Sequence, residues 1–419
     1  ENSGIRIAPG TAHIFYRSGQ PVPQEIHWLT WKDVEIPILF SGAQSQLSDQ
    51  GIFKRSEDGN LFQIQYDILS SAFYFLSCYQ ERESQKEDRF GRFPLEESLL
   101  YNLGMLEIPV VNYYFDILAE AIRIHGGKEV RRRGTAQPTF TASVTHDIDR
   151  CKTGWGQNAF RALLAGQLPD LWSVVKQRMQ GRDVWFNFPQ MIQLEAALDL
   201  SASYYFIDEQ RKIDGVKHAD YDLHAKDMLS VLDQLREAGH EIGIHGSYGS
   251  GWKMDKLRGE VEEFPVPVTG GRFHYLALQV PESFHRIEEA GLSYDTSLGF
   301  AEHMGFRSGF CLPYPPFNFQ NEEAFNFIEY PLVLMDTTLI KNKYMGLTPD
   351  TTMDRFASLL SEIQRFSGHL VMLWHNAVFT GYKYREWLPV FRRIIRFTKE
   401  NSGEFVTLAG HCGSLKKHM

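Results

Sequence analysis

Cysteine is scarce and scattered. Cys78, Cys151, Cys311 and Cys412 are the four in 419 residues, and no two form a Cys-x-x-Cys pair. Four thiols in so long a chain do not build a disulfide scaffold, which favours a reducing, cytoplasmic setting. Long apolar runs are missing as well. No stretch of about 18 apolar residues exists, so no membrane-spanning helix is expected. The first thirty residues lack a basic start followed by an apolar stretch, so no signal peptide is visible. Positive charge is sparse: the longest basic run is Arg131-Arg132-Arg133, and 43 Lys and Arg against 52 Asp and Glu leave a net charge of −9. That balance argues against nucleic acid as the main partner. Repeats and low-complexity tracts are absent.

Aromatic residues, in contrast, make up 13% of the chain. Most are expected in a large core, and some are candidates to line a groove for a flat substrate such as a sugar ring. The length exceeds what one core usually serves, so two domains are expected. The boundary candidate is the polar, Gly-bounded stretch 126–134, which separates a unit over 1–137 from one over 138–419. The first unit reads as a smaller α/β domain. It has a strand over 36–40, helical spacing over 66–81 and again over 108–124, and a turn-rich connector at 88–94. It shows no chemistry of its own.

From about Phe140 onward, short apolar strands alternate with amphipathic helices. Strands are expected at 142–145, 202–207, 241–244, 370–374 and 406–408, and helices at 223–238 and 281–290. This alternation predicts parallel strands with crossover helices, in a barrel or an open sheet. About 280 residues suits a barrel.

Polar residues gather at the C-terminal ends of these strands, where parallel α/β folds carry their sites. Thr145-His146-Asp147-Ile148-Asp149 spaces two carboxylates i and i+2, on one side of an extended chain. One can hold a cation while the other stays free as a base; the plainer alternative is a polar turn. His245 follows the apolar pair of His240-Glu241-Ile242-Gly243-Ile244, and imidazole beside carboxylate suits zinc and related divalent ions. In Gly270-Gly271-Arg272-Phe273-His274-Tyr275, the glycines permit a close approach of the chain. There Arg272 can pair with a carboxylate and His274 is a candidate ligand, unless the segment is a surface turn. His375 ends the strand Leu373-Trp374-His375, well placed for proton transfer.

These segments, in this order, resemble the polysaccharide deacetylase family, the NodB-homology or carbohydrate esterase family 4 group. The spaced Asp147 and Asp149 match its first motif, His240 to His245 the run leading into its second, Arg272 the start of its third, and Leu373-Trp374-His375 its Leu-x-His strand end. The likeness covers roughly 140–410. The whole chain looks like a bacterial subgroup with an extra N-terminal domain, marked by the 75–81 helix, by Gly91-Arg92-Phe93-Pro94 and by Arg-x-His-Tyr in place of Arg-Pro-Pro-Tyr. One departure stands out: the second metal-binding His of the usual motif falls on Gly249.

The resemblance implies a distorted (β/α) barrel of seven or eight strands. It implies one divalent ion, with zinc first in line, held by Asp149, His245 and His274, the last replacing the missing ligand. It assigns Asp147 as base, Arg272 as its anchor, His375 as the acid that protonates the leaving amine, and Asp295 as a group orienting His375 or another rim residue. The implied activity is N-deacetylation of an acetamido sugar in surface-polysaccharide synthesis, with a carbohydrate as partner. Two alternatives stand beside it: a catalytically silent carbohydrate binder, favoured by Gly249, and a hydrolase of another C–N amide bond.

Overall fold

The computed structural model describes residues 12–40, 52–55, 62–126, 140–181, 183–253, 256–380 and 384–417. The N-terminal part holds two antiparallel hairpins, β1 (His27–Trp31) with β2 (Val34–Ile38) and β3 (Phe53–Arg55) with β4 (Phe62–Ile64). The helix Ile68–Leu76 starts where Asp67 accepts a hydrogen bond from Ser70 N at 3.0 Å. The single helix expected over 66–81 is broken: Cys78 has a left-handed backbone, φ 53°, and a second short helix runs Tyr79–Glu83. The break lets Glu81 reach Arg307, which donates to it through Nε at 2.8 Å and Nη2 at 2.5 Å.

The rest of the chain builds the parallel sheet. Its strands are β5 (Thr141–Ile148), β6 (Ser203–Phe206), β7 (Glu241–Gly246), β8 (Gly270–Phe273) and β9 (Tyr294–Asp295). After the small hairpin β10 (Phe317–Asn318) and β11 (Glu323–Ala324) come β12 (Ile328–Glu329), β13 (Leu332–Met335), β14 (His369–Leu373) and β15 (Glu404–Phe405). The order across the sheet is β12-β9-β8-β7-β6-β5-β14-β13, with β15 beside the start of β5. All these pairings are parallel.

The two ends of this order meet on one stretch of chain. Ile328 and Glu329 pair with β9, Tyr330 N donates to Asp295 O at 2.8 Å, Leu332 N donates to Leu298 O at 3.1 Å, and Leu332 to Met335 then pair with β14. The result is a distorted (β/α) barrel, sealed where residues 328–335 pass from one edge strand to the other.

β5 runs past its expected end at Thr145, so Asp147 lies within the strand. Its buried polar side chains are satisfied: Ser143 donates to Val406 O at 2.7 Å and Thr145 to Met372 O at 3.0 Å. The strand expected at 406–408 falls elsewhere: β15 ends at Phe405, and Thr407 caps a helix beginning at Leu408. The stretch 270–273 is a buried strand and not a surface turn. Only glycine fits at its start, since a Cβ on Gly271 would lie 1.9 Å from Ile244 O.

The division expected at 137/138 lies outside the described residues. The apolar core crosses it, joining Ile36, Tyr74, Val110 and Tyr114 to Val144, Leu370 and Met372. The helix Val110–Gly126 is bonded to the barrel at several points: Val111 N donates to Gly309 O at 2.9 Å, Tyr113 donates to Glu362 at 2.7 Å, and Asn112 accepts from Cys311 N at 3.1 Å. Among the described residues, no helix is long and apolar enough to cross a membrane.

Candidate metal and catalytic site

Strand ends β5, β7, β8, β13 and β14 open on one cleft of about 460 Å³, lined by Asp147, Asp149, His245, His274 and His375 among others. Three lone-pair atoms converge at its floor. Asp149 Oδ1 lies 3.3 Å from His245 Nε2 and 3.2 Å from His274 Nδ1, and the two nitrogens are 3.2 Å apart. Atoms around a tetrahedral zinc at ~2.0 Å bond lengths stand about 3.3 Å from one another. The triangle therefore has the dimensions of one face of such a site.

The tautomers support the same reading. His245 Nδ1–H donates to Arg272 O at 2.9 Å, and His274 Nε2–H donates to Lys217 O at 3.1 Å. With those nitrogens committed to carbonyls, the other nitrogen of each ring, Nε2 of His245 and Nδ1 of His274, is the one turned to the triangle, the arrangement that backbone carbonyls give to metal-binding imidazoles. Asp149 Oδ1 is buried and accepts no well-aligned hydrogen bond. Burial works against its charge, but the facing His274 and His245 outweigh it and hold the carboxyl well below its ordinary range. His245 is shifted the other way. Burial favours its neutral form, yet Asp147 and Asp149 raise its pKa. Two acceptor nitrogens and a carboxylate oxygen within bonding reach of one point fit a divalent cation.

Asp147 stands next to the triangle, with Oδ2 3.7 Å from His245 Nε2. Its other oxygen is fixed by Arg272, whose Nη1 donates to Asp147 Oδ1 at 2.9 Å and to Thr145 at 2.8 Å. Arg272 is itself pinned by Thr296 O, at 2.8 Å from Nε, and its guanidinium carbon lies 5.2 Å from the centre of the Tyr205 ring. One carboxylate oxygen is thus anchored while the other faces the cleft.

On the opposite wall, His375 Nδ1–H and the His375 backbone N–H each donate to Asp336 at 2.7 Å. Asp336 is fully buried at the end of β13. Burial lowers the His375 pKa, but the Asp336 carboxylate overrides it and raises the value to about 9. His375 is therefore largely protonated at neutral pH, with Nε2 left over for the cleft.

The structure thus brings together six of the seven residues singled out from sequence. Asp295 is placed elsewhere. It accepts from Ser297 N at 2.6 Å and from Ser297 Oγ at 3.0 Å, and it sits beside Glu329 at the barrel seam. The carboxylate that orients His375 is Asp336, which the sequence reading passed over. Its signal was present: Leu332-Val333-Leu334-Met335 is an apolar run ending in Asp, the pattern that marked His375. Gly249 lies in a turn with φ 84°. Nearby His218 is not available as a ligand, because it accepts from Tyr248 N at 3.0 Å and donates to Arg211 O at 2.7 Å.

A family of unknown function, DUF7033, matches residues 3–126. No curated protein matches the chain. Among solved structures, a Mycobacterium smegmatis protein assigned as a polysaccharide deacetylase is 14% identical, with 69% of this chain and 95% of that one covered and a TM-score of 0.45. PuuE allantoinase is 14% identical over 68% of this chain and 93% of its own, with a TM-score of 0.42. A carbohydrate esterase family 4 pseudoenzyme of Bacillus anthracis is 10% identical over 66% of each chain, with a TM-score of 0.33. None of the three is close enough to lend this chain a residue or an activity.

Proposed function

We propose that this protein is a zinc-dependent hydrolase that removes the N-acetyl group from an acetamido sugar. The observation that carries the proposal is the 3.2–3.3 Å triangle of Asp149, His245 and His274, with both far imidazole nitrogens tied to backbone carbonyls. An ion bound there supplies Lewis-acid polarisation of the amide carbonyl. Asp147 takes a proton from the attacking water through its free oxygen, while Arg272 holds the other oxygen and keeps the carboxylate ionised. His375, protonated at neutral pH, gives its Nε2 proton to the leaving amine nitrogen as the C–N bond breaks. Water and amide become acetate and free amine, and both proton carriers are restored by exchange with solvent.

Gly249 favours the silent, carbohydrate-binding reading, because it removes a ligand that related motifs carry. Against that objection, the position of His274 supports the metal reading: its Nδ1 lies 3.2 Å from both Asp149 Oδ1 and His245 Nε2. The test combines metal analysis with acetate release from acetylated amino sugars, run in parallel with cyclic amides. Wild type should carry one equivalent of zinc and release acetate. Asp147→Asn should keep the metal and lose turnover, and His274→Ala should lose the metal. Stoichiometric zinc with no hydrolysis of either substrate class would leave a binding protein, and full zinc in His274→Ala would remove that ligand.

A further inference from the structure

The charge of the cleft is opposite to that of the protein. The chain is acidic overall, at −9, yet its cleft is lined by Arg89, Arg150, Lys217, Lys341 and Lys343, none of which forms an ion pair among the described residues. Arg92 also lines it but is neutralised by Asp88 and Glu302, each at 2.6 Å. The lining acids are Asp147, anchored by Arg272, and Asp149, which faces two imidazoles. Unpaired cations that meet in one concavity focus an attractive field for anions there.

Arg89, Lys341 and Lys343 lie against aromatic faces. Phe90 stacks on Tyr275 with ring centres 4.6 Å apart and planes 26° from parallel, and the Arg89 guanidinium carbon lies 4.5 Å from the centre of the Phe90 ring. Lys343 Nζ lies 4.4 Å from the centre of the Tyr344 ring. Tyr275 directly follows the ligand His274, so this platform borders the reacting end of the cleft. It is held rigidly. Arg92 Nη1 donates to Tyr275 O at 3.0 Å, Gln279 donates to Gly91 O at 2.7 Å and to Glu87 at 3.0 Å, and Asp88 accepts from Phe90 N at 2.8 Å and from Arg92 N at 3.0 Å. Arg89 and Phe90 belong to the N-terminal stretch matched by the family of unknown function. One wall of the cleft is therefore supplied by that unit.

The geometry points to an anionic substrate: an acetamido sugar that also carries a phosphate or carboxylate group, seated on the Arg89, Arg150 and Lys343 rim with its ring against the Phe90–Tyr275 platform. This inference rests on the deacetylase reading for the sugar, and on the rim alone for the charge. Phosphate and uronate share the chemistry that these side chains recognise.

The test is calorimetric binding of three probes to the zinc-loaded protein: N-acetylglucosamine 1-phosphate, a tetrasaccharide alternating N-acetylglucosamine with glucuronate, and neutral chitotetraose. Arg89→Gln and Lys343→Gln change exposed side chains outside the reacting centre. At least one anionic probe should bind more tightly than chitotetraose and weaken as salt rises, and it should lose about tenfold in affinity in each variant. The phosphate probe winning assigns the rim to a phosphorylated sugar, and the uronate probe winning assigns it to an acidic glycan. Anionic probes that bind no better than chitotetraose, or equally well in wild type and variants, would overturn the inference. Acetate release, followed separately, distinguishes the two ideas. Turnover of chitotetraose without anion binding sinks the charge assignment alone. Salt-sensitive anion binding without hydrolysis of any probe sinks the deacetylase reading alone.

Discussion

Replacing Asp336 by Asn removes one negative charge from a fully buried position while keeping the side chain's shape. In the native protein the two carboxylate oxygens accept from His375 N, His375 Nδ1 and Thr337 N. An Asn offers one acceptor oxygen and turns an NH2 group toward one of these donors, so an N–H is left unpaired as well. The charge term is the one to measure. Burial lowers the His375 pKa, and Asp336, ahead of Asp149 and Asp147, raises it from an ordinary 6.5 to about 9; taking the rise as that of Asp336, its loss costs the imidazolium about 3 kcal/mol. At pH 8 the protonated fraction would fall from about 90% to about 3%, roughly thirtyfold. The sign for folding is also fixed. A raised histidine pKa contributes stability that is complete below about 6.5 and is lost as pH climbs through about 9, and the Asn variant should lack this dependence. An NMR titration of the His375 imidazole, identified by its disappearance in His375→Gln, gives the midpoint directly. The alkaline limb of the turnover profile gives it functionally. A midpoint that stays near 9 in Asp336→Asn, with zinc content unchanged, would refute the account of how His375 is kept protonated.

Two further expectations concern the scaffold. Gly271→Ala should cost about 3 kcal/mol or more, because its Cβ would meet Ile244 backbone, whereas Gly156→Ala, where an added Cβ meets nothing within 4 Å, should gain about 0.5–1 kcal/mol; thermal melts decide both. Burial raises the carboxyl pKa of Asp295, and burial together with the Asp295 charge raises that of Glu329. Stability from this seam is therefore complete below the ordinary carboxylate range and declines as pH rises through the raised values. Asp295→Asn should flatten that decline in urea titrations run across acid to neutral pH, and an unchanged slope would show that the pair is ionised in the fold.

The strands legible in the sequence were the continuous apolar ones, such as 202–207 and 370–374, because burial on both faces leaves no other pattern. β9 and β12, two residues each, carry too little periodicity to announce themselves. The candidate ligands Asp149 and His245 follow strands legible in the sequence, whereas His274 follows β8, a stretch the sequence left open as a surface turn; its Nδ1 lies 3.2 Å from Asp149 Oδ1. Asp336 was missed because β13 was not read as a strand; Asp295, which the resemblance offered as orienting His375 or another rim residue, accepts from Ser297 instead. The connector 88–94 showed no chemistry in sequence for a different reason. Its contribution depends on Tyr275, nearly two hundred residues away, and such a contact leaves no local mark.

The seam along residues 328–335 has a consequence for robustness. A half-open sheet of this size would present two unpaired rims, each a template on which another chain could add itself. Here one segment satisfies both rims and delivers Asp336 at its exit. Loosening the seam would therefore free two sticky borders and, together with them, unseat the carboxylate that holds His375, so a damaged molecule loses the cleft's far wall at the same moment that it becomes prone to self-association.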